Sequence, residues 1–285
     1  MPHQKSVALA QVALLIAPAR FLRNSPPRMK VVILCGGLGT RLREETEFRP
    51  KPMVPVGGRP ILWHIMKTYA HYGHKEFVLC LGYKGEIIKD YFRNYHWNTS
   101  DVTLKLGRTP EITYHTKHEE EDWCVTLLDT GQETQTGGRL KRALPYVQDN
   151  TFLFTYGDGV TDSDINASIA FHKTHGSIAT VTAVKPSGRF GELAMDGQTI
   201  TAFHEKPEKE AGFISGGFFV LNKRIGDYIE GDNTVLEKKP LERLTQERQL
   251  KAYCHDGFWQ CMDTFREQEM LNRMWTSGSA PWRVW

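Results

Sequence analysis

The chain has 285 residues, of which 40% are hydrophobic and 24% charged, a balance that excludes a disordered chain and suits one large domain or two small ones. Its 36 Lys and Arg stand against 33 Asp and Glu, a formal net charge of +3. So small an excess argues against the concentrated basic surface of a nucleic-acid binder. No apolar run reaches the roughly 18 residues of a membrane span.

Residues 1–28 differ in texture from the rest of the chain. Val7–Ala17 is apolar behind His3 and Lys5, and Ala17-Pro18-Ala19 has the outline of a secretory cleavage site. Gln11 interrupts the stretch and Pro18 sits badly at its end, so the expectation is an N-terminal extension outside the main folded unit. A single domain in the cytoplasm is then expected over 29–285. From Lys30 onward, short apolar runs alternate with helical periodicity. Val31–Cys35 is a β-branched run that stops at Gly36-Gly37, the pattern of a buried parallel strand feeding a loop. Pro60 opens a helix that closes at Gly73, Phe77–Leu81 reads as a second buried strand, and Gly85–Tyr95 as a helix. Phe152–Tyr156 is a further strand, followed by a helix over Asp164–His175 with Asp164 as its cap, and then a strand at Ile178–Val184. Strands separated by helical patterns of this length imply βαβ units and a mostly parallel sheet. Beyond Pro186 the texture turns to shorter pieces, strand-like at Thr199–Glu205 and Gly217–Leu221, helical at Lys223–Glu230 and Pro240–Arg248. The five cysteines are odd in number and have no CxxC spacing, which favours buried free thiols over a disulfide framework or zinc site.

Chemistry concentrates after the first strand, at Cys35-Gly36-Gly37-Leu38-Gly39-Thr40-Arg41-Leu42. Closely spaced glycines let backbone N–H groups converge on phosphate oxygens. A Walker loop is excluded because no Gly-Lys-Ser/Thr is present. A dinucleotide fingerprint is excluded because Leu42 stands where its third glycine belongs. Instead Arg41 leaves the loop and Pro50-Lys51-Pro52 comes ten residues on, a planar fork and a point charge for phosphate. Asp158, between Gly157 and Gly159, ends a buried strand, where open α/β sheets place their sites. It suits a hard divalent cation held alongside phosphates, or the capping of the next turn.

GGLGTRL followed by RPKPMVPVGGRPIL resembles the sugar-1-phosphate nucleotidylyltransferases. Val125–Gly131, Gly137–Arg142, Phe154–Val160 and Gly257–Thr264 narrow the resemblance to their cytidylyltransferase branch, over Met29–Trp285. The resemblance implies an α/β fold whose Rossmann-like, mostly parallel sheet is flanked by helices, with an embedded, smaller, β-rich sugar-binding half. It also implies CTP and glucose 1-phosphate as substrates, CDP-glucose and pyrophosphate as products, and a role in supplying nucleotide sugar for deoxysugar or O-antigen polysaccharide. Mg²⁺ is the implied cofactor, on Asp158 and Asp263, and Arg41 and Lys51 are the implied catalytic cations. The nucleotide falls to Leu34, Gly36, Gly37, Leu38, Gly39, Thr40, Arg41, Lys51, Thr134, Arg139 and Gly157, with Arg139 reading the base. The sugar phosphate falls to Arg189, Glu205, Lys206, Ser215 and Gly216. Read without the resemblance, Asp263 suits the cap of the helical pattern from Thr264. Ser215 stands where the family often carries Asn, and Leu236 and Lys239 where it carries Trp and Glu, which opens sugar selectivity or a subunit contact to change. A homo-oligomer, such as a hexamer, is expected, with neither a nucleic-acid nor a membrane partner. Two other readings stand beside this one: a uridylyl-, thymidylyl- or mannose-type transferase of the same fold, and a non-catalytic nucleotide-sugar sensor.

Overall fold

The computed structural model describes residues 28–115, 122–186, 192–196, 199–204 and 212–285. Its centre is a seven-stranded sheet. In chain order the strands are β1 (Lys30–Leu34), β2 (Glu76–Leu81), β3 (Cys124–Asp129), β4 (Thr151–Tyr156), β5 (Ala179–Val184), β6 (Ile214–Asn222) and β7 (Leu250–His255). They lie side by side as β7-β5-β6-β4-β1-β2-β3. Every neighbouring pair is parallel except those of β6, which runs antiparallel to both β5 and β4. The sheet is therefore mostly parallel.

Alternation along β1 explains why both faces of the sheet are covered. Val31 and Ile33 point into one apolar core and Val32 and Leu34 into the other, so a run of five apolar residues has no solvent side. The helices that cover these faces include α1 (Ile61–His71), α2 (Gly85–Arg93), α3 (Thr136–Ala143), α4 (Ile165–His175), α5 (Lys239–Gln246) and α6 (Phe265–Thr276). Asp164 does cap α4, accepting the Ala167 N–H at 2.9 Å. Trp282 is fully buried, its ring stacked on Phe258.

Two sequence expectations need correction. Lys223–Glu230 is not an α-helix but a 3₁₀ segment, Lys223–Tyr228. Gly226 sits within it, where a Cβ would lie 2.7 Å from Leu144, so the tighter turn brings backbone against side chain. Of the cysteines only Cys35 and Cys80 are buried, while Cys124 and Cys254 are exposed because they fall on outward positions of the sheet's two outermost strands. No cysteine among the described residues is in a disulfide. β3 completes the sheet at one edge, with a mostly half-buried pattern that gives little strand signal in the sequence. No helix among the described residues is long and apolar enough to cross a membrane.

Candidate active site

The order of the strands makes the site. β1 continues to β2 on one side while β4 returns on the other, so the carboxyl ends of β1 and β4 lie together, with Leu34 opposite Tyr156. Ligands of open α/β sheets bind at such a switch point. The glycine loop leaves β1, Gly157-Asp158 leaves β4, and the Gly157 N–H donates to the Leu34 carbonyl at 3.0 Å. Between them opens a cleft of about 470 Å³, lined by residues 34–41 together with Lys51, Thr134, Arg139, Gly157, Asp158 and Asp263. Gly39 turns the loop with φ +63°. Its carbonyl accepts the Leu42 N–H and the Thr46 hydroxyl, each at 3.1 Å.

Lys51 is aimed from below the loop. Pro50 is extended, and a 3₁₀ turn over Lys51–Met53 buries Pro52 and Met53, which fixes the lysine's Cα. Its Nζ donates to Asp158 Oδ2 at 2.7 Å and to Asp263 Oδ1 at 2.6 Å. Arg41 Nη1 reaches the other oxygen of Asp263 at 3.1 Å from an exposed position. Burial alone would lower the Lys51 pKa, but the Asp158 and Asp263 carboxylates outweigh it and hold the ammonium above the ordinary lysine value. Burial would likewise raise Asp263, but hydrogen bonding and charge from Lys51, helped by Arg41, hold its carboxyl below the usual range. Cys261 is no nucleophile here, since burial and the neighbouring carboxylates push its thiol up to about 12.

Asp263 does not cap α6. Thr264 does, in a capping box with Glu267. Glu267 also accepts the Asp263 N–H at 2.7 Å, which leaves the Asp263 carboxylate free to turn toward Lys51. The two aspartates thus converge on one point already held by a cation. Among the described residues no cluster of three or more His, Cys, Asp or Glu could hold a metal. A pair of hard oxygens beside a phosphate-sized cleft nevertheless fits Mg²⁺, which takes one or two carboxylates plus substrate phosphates.

Arg139 behaves differently from the expectation that it reads the base. It is 4% exposed. Its Nη1 donates to Leu81 O, Thr130 Oγ1 and Gly131 O, and its Nη2 to Gly36 O and Gln132 O, all at 2.8–3.0 Å. With both terminal nitrogens engaged in this way, the guanidinium braces the glycine loop against the loop after β3. Gly36 permits this approach, because a Cβ there would lie 2.2 Å from the guanidinium.

A second cleft, of about 330 Å³, shares Arg41, Asp158 and Asp263 with the first and runs past Ser215, Gly216 and Trp259. Trp259 Nε1 donates to Gly216 O at 2.7 Å. Arg189, Glu205 and Lys206 lie outside the described residues. Leu236 is buried in the core at 1% exposure, so a different side chain there would act through packing. Lys239 is exposed at the start of α5. Tyr156 and Trp259, which stand inside the Phe154–Val160 and Gly257–Thr264 motifs, line these clefts together with Glu237 and residues 132–133, although none of them was among the expected site residues.

The family model for nucleotidyl transferases matches residues 30–266. The chain belongs to the nucleotidyl transferase family. The glucose-1-phosphate cytidylyltransferase of Salmonella typhi is 53% identical over 258 residues, covering 90% of this chain and all of that protein. The probable glucose-1-phosphate cytidylyltransferase of Bacillus subtilis is 45% identical over the same shares. Among solved structures, HddC from Yersinia pseudotuberculosis superposes with a TM-score of 0.64 over 87% of this chain and 99% of that one, at 23% identity. That likeness supports the fold alone.

Proposed function

We propose that this nucleotidyl transferase joins CTP and α-D-glucose 1-phosphate into CDP-glucose and pyrophosphate. The observation that carries the reading is the convergence of Lys51, Arg41, Asp158 and Asp263 at the mouth of a glycine-loop cleft. The cytidylyltransferase relatives support the choice of nucleotide and sugar.

A sugar-phosphate oxygen forms a bond to the α-phosphorus of CTP. The bond from that phosphorus to the bridging oxygen breaks, and its electron pair leaves with pyrophosphate. The nucleophile's second pKa is about 6, so it is ionised at neutral pH and needs no general base. The obstacle is charge, because two polyanions must meet. Loop N–H groups from 36–41 and the Arg41 fork hold the departing phosphates. Lys51, seated between the aspartates, offers its ammonium to the transferring phosphoryl oxygens. Such prepositioned charge is the main lever in phosphoryl-type transfer. Asp158 and Asp263 are the residues that would hold Mg²⁺, which when bound supplies Lewis-acid neutralisation of phosphate charge. Arg139 contributes by keeping the loop in place, and Thr134, buried in the same cleft wall, belongs to the nucleotide side.

The proposal extends to a homo-oligomer. The hairpin Val102–Lys105 with Glu111–Tyr114 leaves Leu104, Leu106, Ile112 and Tyr114 in solvent. An isolated two-stranded hairpin is marginal in water, which supports a second copy of the chain covering it.

Pyrophosphate release measured over four nucleoside triphosphates and several sugar 1-phosphates tests the reaction. Dominant turnover of CTP with glucose 1-phosphate is expected, and dominance of any other pair overturns the substrate assignment.

A further inference from the structure

Glu237 has no part in the phosphate chemistry, yet it stands in the wall of the second cleft with Tyr156 and Trp259. Its side chain is exposed, and an exposed glutamate is ordinarily a free rotor. This one is held from two sides. The Thr136 hydroxyl, at the start of α3, donates to Oε2 at 2.6 Å, and the Tyr156 hydroxyl, at the end of β4, donates to Oε1. Both mounts are themselves fixed. Thr136 Oγ1 accepts the N–H of core-buried Leu236 at 2.9 Å. The Tyr156 ring lies on Gly217, where φ is +79° and a Cβ would come within 2.9 Å of the ring. A carboxylate so clamped has already lost the rotamer freedom that ligand binding would otherwise cost.

An ionised carboxylate only accepts hydrogen bonds and has about four lone-pair positions. Tyr156 and Thr136 occupy two, so a further partner must be a donor. Negative charge repels phosphate, which leaves the hydroxyl end of a sugar phosphate as the matching chemistry. The phosphate end belongs beside Lys51 and Arg41, at the cleft's other side.

We propose that Glu237 is a sugar-specificity residue that accepts a hydrogen bond from one ring hydroxyl of the sugar 1-phosphate, with Tyr156 and Thr136 as its positioning residues. This rests on the reading of the cleft as a sugar-phosphate site.

The test compares kcat/KM for glucose 1-phosphate and its 2-, 3-, 4- and 6-deoxy analogues, at saturating CTP, in wild type, Glu237→Ala, Glu237→Gln and Tyr156→Phe. The wild type should disfavour one particular deoxy analogue by roughly 10- to 100-fold, the scale of a lost hydrogen bond to a charged group. In Glu237→Ala that gap should close to within about 3-fold while the gaps for the other analogues persist. Glu237→Gln, which keeps shape but loses charge, should fall between, since charge assistance roughly doubles such a bond. Tyr156→Phe should narrow the same gap. A uniform loss across all analogues, or a gap that Glu237→Ala leaves intact in an active enzyme, overturns this inference alone. A wild type inert toward every sugar 1-phosphate overturns the functional reading and this inference with it.

Discussion

Lys51→Met isolates the charge arrangement at the site. Lys51 Nζ lies 2.7 Å from one aspartate and 2.6 Å from the other, and its side chain is only 12% exposed. A methionine of similar length fills the space and withdraws the cation. Two carboxylates are then left facing a common point at roughly 5 Å from each other, where their repulsion is about 3 kcal/mol at an effective dielectric of about 20. The free protein should lose about that much stability at pH 7, toward the lower end of the cost of unpairing a buried charge.

Two further consequences distinguish removal of an internal cation from a simple loss of activity. Asp263 is held below the usual carboxylate range by Lys51. A depressed carboxylate stabilises the fold above its unfolded pKa, and the contribution disappears as pH falls through the folded value. Lys51 is raised, so its share is complete below the ordinary lysine pKa and lost as pH rises through the folded one. The deficit of Lys51→Met should therefore be full between about pH 5 and pH 10 and shrink on acidification as the facing carboxylates take up a proton. The second consequence concerns metal. In the wild type a divalent cation arriving without nucleotide must displace the ammonium, whereas in the variant it meets an open carboxylate pair. Mn²⁺ affinity measured by electron paramagnetic resonance or calorimetry, with no nucleotide present, should rise roughly 100-fold, the equivalent of about 3 kcal/mol. Turnover should meanwhile fall by at least about 10²-fold. Equal Mn²⁺ affinity in the two proteins, with the variant as stable as wild type at pH 7, would falsify the internal-cation account.

Asp158→Asn should abolish the dependence of turnover on Mg²⁺ concentration; an unchanged Mg²⁺ titration refutes its assignment. Arg139→Met removes the guanidinium's bonds to five oxygen acceptors, and urea denaturation should register a loss of about 2–4 kcal/mol, with the apparent CTP affinity weakened through the unbraced glycine loop. Leu106→Glu should lower the molar mass seen by light scattering without changing the circular dichroism; an unchanged mass excludes the hairpin from the subunit contact. Burial lowers His64, His74 and His172 to about 4. Since the folded values lie below the unfolded 6.5, stability should fall as pH drops from 6.5 toward 4, by up to about 3 kcal/mol per histidine; a flat profile in urea titrations over that range refutes the neutral buried imidazoles.

The strands around the site were legible because local chemistry dictates them. Val31–Leu34 carries no polar side chain that could face water, and Gly36-Gly37 ends it where the backbone must approach Arg139. Pro60 and Asp164 mark helix starts by the groups they lack or supply. What was not legible is contact across the chain. Lys51 meets Asp263 over 212 residues and Thr136 meets Glu237 over 101, and no periodicity encodes either. Asp263 illustrates the limit: Asp263-Thr264 offers two capping side chains in a row, and only the capping box with Glu267 decides that Thr264 is the cap. The cysteines failed for a related reason. An apolar neighbourhood in sequence does not fix which face of an edge strand a residue occupies, and Cys124 and Cys254 face out.

Arg139 and Lys51 show why a count of charges near a phosphate site misleads. Both are cations largely withdrawn from solvent beside the same cleft, and burial alone lowers the pKa of each. Their partners separate them. Arg139 donates only to neutral oxygens, with no carboxylate hydrogen-bonded to it, so moving it would break bonds that hold two loops. Lys51 meets two full negative charges, so a cation of higher charge can take its place, and it can turn to a phosphate once one arrives. A fixed cation suits a scaffold and an exchangeable one suits a reaction that brings its own phosphates and metal. On the proposed reaction, the Lys51 charge would be held by Asp158 and Asp263 in the free protein and would become available as the substrate phosphates compete for it.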